Sequence, residues 1–147
     1  MKIKILTLLI IIFWCFGLQA KSLKINYKTQ VSPISIVIEK AEFRDNQTNI
    51  SVKVKQKRNF SYNISLSDIY IVTSNNTDPI KGKLSSWNDV KNPTPDNKPV
   101  RDDSEEKFIL SFPGDIFKDV ASFDIKIGTI LDREKRELIF HDILLSK

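Results

Sequence analysis

Apolar and polar residues alternate along most of this chain, beginning after an apolar leader. Ile34, Ile36 and Ile38 share one side of an extended segment that runs to Phe43. Ile50, Val52 and Val54 alternate with Ser51, Lys53 and Lys55. Phe60, Tyr62, Ile64 and Leu66 alternate with Ser61, Asn63 and Ser65, and a short apolar stretch covers Ile69 to Val72. The period returns in Phe108, Leu110 and Phe112 and again in Phe123, Ile125 and Ile127, and a last strand is read over 137–145. Successive side chains on a strand point to opposite faces, so this period of two marks strands with one face in a core.

Turn-forming residues separate these segments: Asp45-Asn46, Lys55 to Asn59, Ser74 to Pro79, Pro113-Gly114-Asp115 and Asp132 to Arg136. Residues 116–119 read as one helical turn. About seven to eight short strands with regular turns predict an all-β protein, an antiparallel β-sandwich of immunoglobulin-like type. Residues 21–33, closed by Pro33, read as a polar arm or an edge strand, and the sandwich domain is expected over 34–147. Alternation lapses where Pro79, Pro93, Pro95 and Pro99 fall, with room for a short strand at 81–85. Residues 86–106 are expected to form a long proline-rich loop, and loops of that length in compact domains are often functional.

The leader changes the picture of compartment. Lys2 and Lys4 precede ILTLLIIIFWCFGL, and Gln19-Ala20 lead to Lys21. A positive start, an apolar run too short to span a bilayer and a small residue at the boundary predict a signal peptide over 1–20. The expected cut follows Ala20, with Leu18 bulkier than the usual residue three places before such a site. The expected address is periplasmic or secreted. Cys15, the one cysteine, lies inside the apolar run after Phe13-Trp14 and would leave with the leader, so no disulfide is expected. Formal charge falls from +5 to +3 when Lys2 and Lys4 go. That mild excess argues against nucleic acid as a partner.

Candidate chemistry is sparse. His141 is the one histidine, and its neighbour Asp142 points to the opposite face of a strand, so a Ser-His-Asp set does not assemble there. A structural zinc site needs several His or Cys ligands, and the chain past the leader offers one histidine. Asp102, Asp103, Glu105 and Glu106 form an acidic cluster that invites calcium, without the EF-hand spacing. The same cluster is what a carboxylate-based hydrolase would use. Lys53, Lys55 and Lys57 form a basic stripe, read as a contact for phosphates, lipid A-like groups or acidic glycans or as the guard of a sheet edge. Trp87, with Lys83, Asn88 and Asp89, is the leading binding candidate: an aromatic on a loop is a recognition anchor when exposed, and a plug for the sandwich when it folds back.

Three stretches carry a family resemblance: Ile38-Glu39-Lys40-Ala41-Glu42-Phe43-Arg44-Asp45, Lys107 to Phe112 after a polar loop, and the closing Phe140 to Leu145. Over roughly 34–145 the chain resembles a class of small exported bacterial proteins, of Bacteroidetes type, with an uncharacterised immunoglobulin-like sandwich. The resemblance implies the fold and brings no activity or site residues with it. The expected function is therefore an exported, non-enzymatic binding or interaction module with no cofactor. Its partner would be a protein or glycan in the cell envelope or outside the cell. Membrane contact is expected only through an uncleaved leader, and the chain is expected to be a monomer or weak dimer. The alternative is a protein-directed inhibitor or adhesin-like subunit that works by sheet-edge pairing.

Overall fold

The computed structural model describes residues 21–31, 34–56, 62–91, 105–131 and 134–145. Ten strands lie among them: β1 (Lys21–Val31), β2 (Ile34–Arg44), β3 (Gln47–Gln56), β4 (Tyr62–Thr73), β5 (Asn76–Lys81), β6 (Lys83–Trp87), β7 (Val90–Lys91), β8 (Glu105–Pro113), β9 (Ser122–Leu131) and β10 (Glu134–Leu144). They build two antiparallel sheets, one ordered β1-β2-β3-β8-β6-β7 and the other β10-β9-β4-β5. The chain changes sheet after β3, after β5 and after β8. The run β2-β3-β8-β6 facing β10-β9-β4 reproduces the ABED and GFC sheets of the immunoglobulin fold. Strand β1 is added outside the first of these strands, β5 beside β4, and β7 beside β6.

The inward positions are those that alternation marks. Ile36, Ile38, Ile50, Val52, Val54, Phe108, Leu110 and Phe112 from one sheet meet Ile69, Ile71, Phe123, Ile125, Ile127 and Phe140 from the other, all buried. Each fully buried Ile or Phe is worth about 1.5–3 kcal/mol relative to exposure, which drives the closure of the two faces.

The local turns follow from residue chemistry. Asp45 (φ 53°) and Asn46 (φ 57°) join β2 to β3 in a two-residue hairpin, and Asn88 (φ 45°) and Asp89 (φ 67°) join β6 to β7 in another. Two successive positive φ values make a type I′ turn, which Asn and Asp tolerate better than other non-glycine residues. Thr48, buried at the root of the first hairpin, donates to the Gly114 carbonyl at 2.7 Å and accepts from the Ile116 amide at 3.2 Å. At the same end, Ser74 Oγ accepts from the Ala121 and Ser122 amides at 3.3 and 3.4 Å.

Several expectations are corrected. Ten strands lie among the described residues: 21–31 takes the edge-strand reading of the lead-in, and 86–91 adds a hairpin where a loop was expected. The loop expected over 86–106 is broken at both ends, because Trp87 and Val90-Lys91 pair as strands and Glu105 already belongs to β8. Residues 92–104 lie outside the described residues. The stretch Ile116–Asp119 is a turn, with Ile116 and Phe117 buried.

Candidate functional site

Trp87 does not stand on an exposed loop. Leu84 and Trp87 are the inward residues of β6, and Trp87 is 8% exposed. Its ring meets Phe108 edge-on at a centroid distance of 4.6 Å. Its indole Nε1–H donates to Glu106 Oε2 at 2.9 Å, a partner that buried indoles require. Asn88 Nδ2 donates to the same carboxylate oxygen, while Asn88 Oδ1 accepts from the Lys107 amide at 2.8 Å. The cluster seals this end of the sandwich and fixes the β6–β7 turn to β8. Asp89 lies exposed in that turn, and Lys83 is exposed on the opposite face of β6 from Leu84 and Trp87. The four residues of the leading candidate are thus divided between core, turn and outer face.

The acidic cluster is divided as well. Glu105 and Glu106 are neighbours on a strand and point to opposite faces. Glu105 reaches outward to Lys53, and Glu106 reaches inward to Trp87 and Asn88. Asp102 and Asp103 lie outside the described residues. The two described members therefore cannot share one cation or flank one scissile bond as the calcium and hydrolase readings require.

The lysine stripe lies in the interior of a sheet, since β3 is third of six strands. Lys53 Nζ sits 2.6 Å from Glu39 Oε1 and 3.6 Å from Glu105 Oε1. The hydrogen bond with Glu39 holds its ammonium above the usual lysine range; partial desolvation opposes this, and the charges of Glu39 and Glu105 add to it. Lys55 is exposed on the same face, and Lys57 lies outside the described residues. Edge protection falls elsewhere: Lys21, Lys24 and Lys28 are exposed on β1, Pro79 interrupts β5, β7 has two residues, and β10 carries a bulge at His141-Asp142. Charged residues, prolines, short strands and bulges all discourage pairing with another chain.

His141 has a partner that neighbouring sequence does not reveal. Its Nδ1 lies 2.8 Å from Asp124 Oδ2, and Asp124 Oδ1 accepts from the Asp142 amide at 2.8 Å. The pair pins the bulge where Asp142 takes φ 52°. Burial pushes the Asp124 carboxyl up, but the Asp142 N–H and the bond and charge of His141 outweigh it, leaving the carboxyl below its usual range. His141 is exposed and Asp124 half-buried.

No family model and no curated protein matches this chain. Among solved structures it resembles a functionally unknown protein from Listeria monocytogenes EGD-e, with a TM-score of 0.53 at 9% identity over 84% of this chain and 86% of that one. That likeness supports the β-sandwich and is silent on activity.

Proposed function

We propose that this chain is an exported, non-enzymatic binding module of the cell envelope or its surroundings, akin to small bacterial sandwich proteins sent across the membrane. The leader over residues 1–20 supplies the address. One observation carries the binding reading: the outer face of the six-stranded sheet holds a surplus of lysines. Lys24, Lys28, Lys55, Lys83, Lys91 and Lys107 have no ion-pair partner among the described residues. By contrast Trp87, Asn88, Glu106, Asp124 and His141 are engaged in holding turns and bulges. The blunted edges favour recognition by this face over strand addition.

The test is expression of the full chain with its own leader in a bacterial host, followed by fractionation. The expected product is recovered outside the cytosol, begins near Lys21, and co-sediments with envelope material at low salt but not at high salt. Recovery from the cytosol with Met1 in place, or no retention at low salt, overturns the reading.

A further inference from the structure

The strand register gathers the lysines into rows across the outer face. One row crosses all six strands: Lys24, Lys40, Ser51, Ile109, Ser86 and Lys91. With adjacent strands about 4.8 Å apart, it is about 24 Å long. Its middle is low, because Ser51, Ile109 and Ser86 are half-buried, and its ends are exposed lysines. The next row places Lys28, Val37, Lys53 and Lys107 side by side on four strands. On the other flank the row runs Ser22, Glu42, Asn49, Ser111 and Lys83, with Ser111 buried beneath the surface, Asn49 half-buried, Lys83 exposed and Glu42 paired with Lys40. There Ser85 Oγ donates to the Ile109 carbonyl at 3.1 Å, and Ser111 Oγ lies 2.8 Å from Ser85 Oγ and within hydrogen-bond reach of the Asn49 side-chain Oδ1, which accepts. Two bulges build this surface, one adding Glu39 beside Lys53 and the other adding Ser85 to the hydroxyl chain.

The result is a shallow strip of hydroxyl and amide groups rimmed by ammonium groups. The geometry points to an acidic polysaccharide, carboxylated or sulfated, laid across this strip. This assignment rests on the binding-module reading and adds the ligand class. Charge complementarity selects a polyanion. The flat hydroxyl and amide floor suits sugar hydroxyls through hydrogen bonds. Stacking on a neutral sugar or a nucleobase would call for an aromatic platform, and the tryptophan nearest this face points inward. The rows contain lysine and no arginine, so they present point charges rather than the fork that grips phosphate diesters and base edges. The half-buried Val37 and Ile109 offer no large exposed side chain to enter a lipid layer.

The experiment is affinity electrophoresis of the exported chain through gels holding polygalacturonate, dextran sulfate or neutral dextran, with a single-stranded DNA oligonucleotide and anionic vesicles as competitors. The acidic polysaccharides should retard the chain and neutral dextran should not. Lys91→Glu with Lys107→Glu should weaken the effect about tenfold or more, as two like charges now face the ligand. Lys81→Glu, on the other sheet, should leave it unchanged, and all variants should keep the far-UV spectrum. Retardation by neither acidic polysaccharide, equal loss in Lys81→Glu, or tighter binding of DNA or vesicles overturns the assignment. If the chain still binds envelope material in a salt-sensitive manner while ignoring both polysaccharides, the ligand class falls and the binding module stands. Cytosolic retention with Met1 intact brings down the module itself.

Discussion

Gly82 marks the point where the chain leaves β5 for β6 and changes sheet. Its amide donates to the Ile69 carbonyl at 2.8 Å, and its Cα faces the Phe112 ring. A Cβ here would fall 2.7 Å from Phe112 Cδ1 and 2.9 Å from its Cζ. Phe112 is itself fully buried, so the ring has little room to retreat. Gly82→Ala should therefore cost about 1–3 kcal/mol through overpacking, measured as a lower urea midpoint at unchanged slope. An unchanged midpoint would mean the core adjusts freely at this corner. Trp87 illustrates what residue-level reading misses. The plug role is legible in its size, but its partner Glu106 lies nineteen positions away with no local pattern linking them. Only the pairing of β6 with β8 brings the indole and carboxylate together.

At the scale of elements, β3 and β8 are legible because Ile50, Val52 and Val54 and then Phe108, Leu110 and Phe112 keep strict alternation in the middle of a sheet. β7 is not legible, since two residues hold no period and its turn depends on Asn88 and Asp89 taking positive φ. β10 is legible as a strand, while its bulge is not, because Asp124 comes from β9. That bulge yields a pH prediction. A carboxyl held low in the folded state contributes stability above its unfolded value of about 3.9, and the contribution is lost as pH falls through the folded value. The groups near it on this face are His141, Asp142 and the Lys126–Glu137 pair, whose atoms lie 2.8 Å apart. Asp124→Asn should lower the urea midpoint at pH 6, and the difference from wild type should shrink by pH 3. Faster exchange of the Asp142 amide in the variant would locate the loss. A difference that persists unchanged at pH 3 would assign the effect to packing.

Across the whole molecule the two sheets are tied at several places without a covalent link. Tyr27 of β1 meets Phe140 of β10 at 6.2 Å across the sheets, the Gly82 amide beside β6 donates to the Ile69 carbonyl of β4 at 2.8 Å, and Phe117 of the β8–β9 connection packs on Phe123 at 4.8 Å. Ile25, in the segment read as an arm or an edge strand, is fully buried. Its neighbours Lys24 and Lys28 make 21–31 look solvated in the sequence, and only contact with the second sheet reveals the strand as part of the core. Because the inward residues of both sheets form one core, neither sheet keeps its burial if the other opens. Trp87 is the one tryptophan beyond Trp14, so its fluorescence reports the β6–β7 end while far-UV dichroism reports both sheets. The two signals should give one urea midpoint, unaltered by reductant because no cysteine follows Cys15. An earlier fluorescence transition would mean that the Trp87–Asn88–Glu106 seal opens ahead of the sandwich. The outer-face lysines would then be mounted on a yielding frame, and salt-sensitive binding should weaken at urea concentrations where the sheets remain intact.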